Sequence, residues 1–278
     1  MTETLLLGPL SVDCYLDEQR VLPGGGALNM AYHWAQQRVP FRLLSRVGDD
    51  HTELFQSFLE RHGIQALPSL VAPGVSASID IVMRADRQPW MDNFVDGVWS
   101  GFHLTPEEES TVRSAGRMHC VMVDAVADEV ERLGAAGVLD GVEVTGDFLS
   151  FRHYTVERFA RTMQWLTMAF IGWPGAADDD VVSGVRKVAF DQRKLVIVTL
   201  GADGVLALDG RPSVRQQGFV PVRRVPVEGT TVGCGDAFIA AYLAEWWQHS
   251  DVDAAVEAGK AAGAAATKWM RPLPDAAF

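Results

Sequence analysis

From Met118 to Leu200 the chain alternates between short apolar runs and longer stretches in which apolar residues recur every three or four positions. The runs Met118 to Val123, Val142 to Phe148, Met168 to Ile171 and Leu195 to Leu200 have strand length. Between them, Asp128 to Ala136, Thr155 to Trp165 and Asp178 to Ala189 carry helical spacing. Such alternation predicts a mostly parallel α/β sheet with helices on both faces. Upstream, Leu5 to Gly8 and Phe41 to Val47 read as strands, and Met30 to Arg38 and His51 to His62 as helices, the second closed by Gly63. The last helical piece, Val252 to Trp269, is rich in Ala and Gly, which suits close packing against another helix.

Between about Val75 and Phe102 the period changes to two. Ser76, Ser78 and Asp80 alternate with Ala77, Ile79 and Ile81, a charged turn runs from Arg84 to Pro89, and the chain returns through Trp90 to Trp99. This predicts a hairpin with one apolar face, either an edge hairpin of the main sheet or an appended sheet covering a ligand or a second subunit.

The stretch from Glu228 to Trp247 holds the chemistry of greatest interest. Gly233 and Gly235 stand directly before Phe238, Ile239, Tyr242, Leu243 and Trp246, so the glycines open an amphipathic helix. The N–H groups of Gly233, Cys234 and Gly235 can then face an anion, aided by the helix dipole. Asp236, at the mouth of that site, has the placement of a general base toward a hydroxyl lying between it and a phosphoryl group. It also fits a plain N-terminal helix carboxylate favoured by the dipole.

Three other stretches place polar groups at the ends of elements. Asp13 follows the first strand, where open sheets meet ligands, and equally fits a loop or edge-strand carboxylate. Gly24-Gly25-Gly26 leads to Asn29 on a first helical turn, as a tight turn or as a close backbone approach to a ligand whose hydroxyls Asn29 would bond. Gly201 and Gly204, after Thr199, leave backbone bare for a nucleotide or form an ordinary hairpin turn. The first turn, Gly8 to Asp13, lacks the glycine pattern of a dinucleotide fold, which disfavours a nicotinamide oxidoreductase. His33, His51, His62 and His103 lack metal-ligand spacing and read as surface or locally satisfied residues.

Composition narrows the classes. A net charge of -12 argues against nucleic-acid or acidic-membrane partners. No segment reaches the roughly 20 apolar residues that span a bilayer, and the N-terminus lacks a secretory pattern. Cys14, Cys120 and Cys234 are too few and too far apart for a disulfide framework or a Cys-rich zinc site. The cytoplasm is the expected location.

In their order, Asp13, Gly24-Gly25 with Asn29, Gly48-Asp49-Asp50, the hairpin, Thr199 to Gly204 and Gly233-Cys-Gly235-Asp236 resemble the ribokinase-like, or PfkB, carbohydrate kinases across essentially the whole chain. Phe94 to Gly97, Gly146 to Ser150 and the short length are most similar to fructoselysine 6-kinase-like members. The resemblance implies a single ribokinase-like, Rossmann-type domain over residues 1–278, with a lid formed by about 10–22 and 75–102. It implies transfer of the ATP γ-phosphoryl group to a sugar hydroxyl, with Asp236 as base and the N–H groups of Gly233, Cys234 and Gly235 as the anion hole. Asp13, Gly25 and Asn29 would hold the sugar. Thr199, Gly201 and Gly204 would lie along the nucleotide, and Mg2+ would accompany ATP. The lid would exclude water and, as in some relatives, form a homodimer. A fructosamine's amino-acid part would need an extra pocket with charge partners, for which Arg84, Arg87, Asp92 and Asp96 are candidates by location alone.

The sequence departs from the family pattern at three places. Thr230 stands where relatives carry an acid, which calls a monovalent-cation site into question. Cys234 replaces an alanine. Gly172-Trp-Pro-Gly-Ala-Ala stands where an Asn-x-x-Glu magnesium motif belongs, so magnesium would be held mainly by ATP and water. Cys234 adds only a small side chain and leaves the N–H donors in place, whereas Thr230 and the missing magnesium motif favour a second reading, a binding protein of the same fold with little turnover.

Overall fold

The structure is a computed structural model that describes residues 3–84 and 89–278. The chain forms two compact units, one of residues 3–102 and 225–278 and the other of residues 103–224.

The first unit begins with β1 (Thr4–Leu7), β2 (Ser11–Tyr15), β3 (Arg20–Gly24), α1 (Gly26–Gln37), β4 (Phe41–Leu44), β5 (Val47–Gly48), α2 (Thr52–Arg61), β6 (Val71–Ala72), β7 (Ser78–Met83) and β8 (Pro89–Val95). The second holds α3 (Pro106–Ala115), β9 (Arg117–Val121), α4 (Asp124–Ala135), β10 (Glu143–Asp147), α5 (Val156–Met163), β11 (Met168–Gly172), α6 (Asp180–Asp191), β12 (Leu195–Thr199), β13 (Gly204–Asp209) and β14 (Gln216–Pro221). The chain then returns to the first unit for α7 (Cys234–His249) and α8 (Val252–Ala266).

In the second unit, β9, β10, β11 and β12 pair in parallel, in chain order. Their apolar runs are buried, as strands covered on both faces require. At the edge β12, β13 and β14 pair antiparallel, which fits a mostly parallel sheet and the hairpin reading of Gly201 and Gly204. Gly201 and Gly204 make the turn of the β12–β13 hairpin, at φ +59° and +148°. Helix α3 escaped the apolar-period reading because only Glu108, Val112 and Ala115 are buried on it. Its start was nevertheless written locally, with Pro106 in the first turn and a reciprocal Thr105–Glu108 capping box. Helix α4 begins four residues earlier than the spacing suggested, at Asp124.

In the first unit, β1 and β4 pair in parallel, and a separate four-stranded sheet runs in the order β3-β2-β7-β8. That sheet contains both stretches assigned to the lid by sequence. Its inner face carries Tyr15, Leu22 and Ile81, with Ile79 and Phe278 packed on them. Its last strand exposes Trp90, Met91, Phe94 and Val95. The turn at 85–88, with Arg87, lies outside the described residues.

Helix α1 starts at Gly26 rather than Met30, and it packs on α7, where Trp34 Nε1 donates to the Ala240 carbonyl at 3.0 Å. Helix α8 ends at Ala266, three residues short of Trp269, and lies close against α7. A β-carbon on Gly259 would stand 2.8 Å from the Phe238 ring, so its small residues serve helix packing. His33 corrects the surface reading. It is buried, its ring stacks on Trp269 at 5.9 Å, and burial lowers its pKa to about 4.

Candidate active site

Asp13, Asn29 and Asp236, separated by up to 223 positions in sequence, come together within the first unit. Asp13 does not follow the strand end as expected. It lies inside β2, opposite Leu22 of β3 and Ile79 of β7, and is 6% exposed. The register sets Ser11 against Gly24, so Ser11, Asp13 and Gly24 share one face. A β-carbon on Gly24 would stand 2.0 Å from Asp13 Oδ2, and only glycine leaves room for that carboxyl. Ser11 Oγ donates to Asp13 Oδ1 at 2.6 Å. Sequence reading missed both supports, although Ser11 stands two residues away on the same strand face.

Gly25 serves as the N-cap of α1 at φ 96°, and a β-carbon there would meet the Pro9 carbonyl at 2.6 Å. Both reasons exclude other residues. The turn delivers Asn29 to the first turn of α1, buried, where its Nδ2 donates to Asp236 Oδ2 at 2.7 Å. One carboxylate oxygen is thereby fixed, leaving Oδ1 to accept a proton.

Asp236 sits in the first turn of α7, behind Gly233 in the left-handed region at φ +78°. A β-carbon on Gly233 would stand 2.6 Å from Pro272, whereas one on Gly235 would meet nothing within 4 Å. The helix mouth is therefore open at Gly235. The expected anion hole needs one amendment, because the Cys234 N–H already donates to the Thr231 carbonyl at 3.3 Å. That bond is long, and a ligand oxygen would compete with it.

Burial lifts Asp236 to about 6, against the opposing effect of the Asn29 amide. Burial lifts Asp13 further, to about 7; the Ser11 hydroxyl opposes this and the charge of Asp236 adds to it. Two carboxyls poised near neutrality are suited to proton exchange with hydroxyls. Burial, with the charge of Asp236, pushes the Cys234 thiol up to about 11, so it stays protonated and is no nucleophile at neutral pH.

Thr230 is fully buried and accepts from the Val232 N–H at 3.2 Å. Its own N–H donates to the Trp269 carbonyl at 2.8 Å, and the Gly229 N–H donates to the Thr267 carbonyl at 2.8 Å. In place of an acid, this position holds the turn.

In the second unit, Thr199 ends β12, its Oγ1 reaching the Ile171 carbonyl at 3.4 Å. Gly201 is exposed, with open space where a β-carbon would be. Gly204 has no such space, since a β-carbon would meet the Val220 carbonyl at 2.7 Å. The loop after β11 winds around Asp179, whose Oδ2 accepts from Trp173 Nε1 at 2.8 Å and from the Ala176 N–H at 2.9 Å. Asp179, two residues beyond the stretch where the magnesium motif belongs, is thus engaged structurally. Among the described residues no group of three or more His, Cys, Asp or Glu side chains could hold a metal ion.

Of the side chains proposed for a fructosamine's amino acid, Arg84 and Asp92 are engaged locally. The Arg84 guanidinium lies over the Trp90 ring at 4.5 Å, and Asp92 Oδ1 accepts from the Asn93 N–H at 2.8 Å. Asp96 precedes a short 3-10 turn without capping it.

Residues 168–270 match the pfkB family carbohydrate kinase profile. Fructoselysine 6-kinase of Escherichia coli (strain K12) is 26% identical over 260 residues, covering 93% of this chain and 94% of that protein. Cytidine kinase of Thermococcus kodakarensis is 26% identical over 275 residues, with coverage of 93% and 94%. The structure of Arabidopsis thaliana ribokinase complexed with ribose and ATP superposes with a TM-score of 0.77 at 16% identity, over 99% of this chain and 96% of that one. The structural likeness establishes a ribokinase-like α/β fold, and the segment that matches the pfkB family carbohydrate kinase profile includes the glycine turn and Asp236.

Proposed function

We propose that this protein is an ATP-dependent kinase that phosphorylates a hydroxyl of a sugar or sugar derivative, with fructosamines such as fructoselysine as the acceptor class. The Asn29–Asp236 hydrogen bond of 2.7 Å at the open mouth of α7 carries this reading. Ionised Asp236 takes the acceptor's proton on Oδ1 while Asn29 holds Oδ2. The acceptor oxygen forms its bond to the γ-phosphorus as the bridging oxygen to the β-phosphorus leaves with ADP. Negative charge on the transferring group meets the N-terminus of α7. Asp13 accepts from a second acceptor hydroxyl, with the bare backbone of Gly24 and Gly25 letting the sugar come close. Thr199, Gly201 and Gly204 would serve the nucleotide.

We further propose that residues 1–278 work as one kinase domain with the four-stranded sheet as its lid, and that the apolar side chains exposed on β8 support a homodimer. ATP use and three free cysteines suit a cytoplasmic location. No helix among the described residues is long and apolar enough to cross a membrane.

The engagement of Asp179 and the replacement of an acid by Thr230 favour a second reading, a sugar- or nucleotide-binding protein with little turnover. ADP release with Mg-ATP, measured across fructosamines, fructose, ribose, 2-keto-3-deoxygluconate and nucleosides, separates the two. The kinase reading expects turnover with at least one acceptor. ATP-induced thermal stabilisation without ADP release from any of them would contradict it.

A further inference from the structure

A cavity of about 700 Å³ opens between β3 and α2 in the first unit. Arg20 and Leu22 line it from β3. By strand alternation both lie on the face that carries Ser11, Asp13 and Gly24. Leu22, which lines the cavity, is the residue paired with Asp13 across the β2–β3 ladder. From Gly24 to Arg20 the strand covers roughly 13 Å, the reach of a hexose chain extended by a four-carbon side chain.

The opposite wall is one face of α2, with Glu53, Phe58 and Arg61, and Phe278 closes an end. The charges here differ in their availability. Asp49 accepts from the Gly74 N–H at 3.3 Å, and Asp50 accepts from Ser76 Oγ at 2.7 Å and from the Ser76 N–H at 2.9 Å. Among the described residues Arg20, Arg61 and Glu53 enter no ion pair or side-chain hydrogen bond. The cavity thus offers two uncommitted guanidinium groups, one uncommitted carboxylate and an apolar floor of Leu22, Phe58 and Phe278. A ligand matching this set has a carboxylate, an ammonium group and an aliphatic spacer, which together describe an amino acid joined through its side chain to a sugar.

We infer that this cavity receives the amino-acid end of the acceptor, with Arg20 and Arg61 binding its carboxylate while the sugar lies against Asp13 and Asp236. The inference rests on the kinase reading and selects, within it, sugars conjugated to amino acids. It also moves the specificity site from the turn around Arg84 to β3 and α2.

The test compares fructoselysine with its decarboxylated counterpart, in which cadaverine replaces lysine, by calorimetric titration and by ADP release. The wild type is expected to bind fructoselysine about tenfold to a hundredfold more tightly, the range that charge-assisted hydrogen bonds supply. Arg20→Ala and Arg61→Ala should each shrink that ratio toward one, and Arg61→Lys should restore part of it. Equal affinity for both compounds, a preference that survives both alanine substitutions, or no binding of either would overturn the inference. The kinase reading is judged separately. ADP release from other acceptors upholds it whatever the titration shows, and binding without ADP release contradicts it while leaving the cavity assignment standing.

Discussion

The Asp13–Asn29–Asp236 cluster and the Thr199–Gly204 turn are built from different materials. In the cluster, the buried Asp13 and half-buried Asp236 carboxyls are each held by one neutral donor and lifted to about 7 and about 6. The turn is backbone, shaped by Gly201 at φ +59° and Gly204 at φ +148° around an exposed surface. One region works through proton affinity created by burial, and the other through room left by missing side chains. Substitutions should therefore act in the cluster mainly on the acceptor and the chemical step, and in the turn mainly on ATP affinity and folding.

The largest break in that comparison is Asp236→Asn, which keeps the shape and removes the base. ADP release should fall by about 10²–10⁴-fold, with near-UV circular dichroism unchanged. Asp13→Asn should raise the acceptor KM by about tenfold to a hundredfold while the KM for ATP stays within twofold. Gly24→Ala should reproduce that selective effect, because its new carbon displaces the Asp13 carboxyl. In the turn, Gly204→Ala meets both the Val220 carbonyl and a backbone region reserved for glycine. It should lower stability by about 1–3 kcal/mol in urea unfolding. Gly201→Ala, with open space around it, should cost about 1 kcal/mol and raise the KM for ATP severalfold.

A smaller effect sharpens the contrast. A carboxyl whose folded pKa is raised stabilises the fold fully below its unfolded value, and that contribution is lost as pH rises through the folded value. With Asp13 shifted from 3.8 to about 7, Asp13→Asn should be more stable than wild type at pH 8 by on the order of 2–4 kcal/mol. The difference should vanish toward pH 4. Thermal unfolding of the pair across this range reads it directly, and a constant difference would show that Asp13 is not titrating as described.

The legible parts of this molecule were those written in local sequence. The alternating runs gave β9 to β12 and their parallel order, because buried strands must be apolar along their whole length. The glycines before Phe238 gave the start of α7, because a left-handed residue there favours glycine. Strand β14 was not legible, since Gln216, Gln217 and Gly218 are exposed and carry no apolar period. Nor was the alliance of Asn29 with Asp236, whose meeting depends on how α1 packs on α7. The same holds for the clearance over Gly24, which follows from the β2–β3 register, and for the use of Asp179 as a loop anchor. Residue types and spacing announce candidate groups, while proton affinities and partners emerge only from tertiary contacts.

The central claim is that Asp236 is a base whose proton affinity is set by burial. The most direct test is the pH dependence of kcat/KM for the acceptor in Asp13→Asn, where the second raised carboxyl has been removed. The account predicts a single acid limb, with activity falling below an apparent pKa near 6 and level above pH 7. A profile flat from pH 5 to 8, or a limb near the ordinary carboxylate value of about 4, would contradict it.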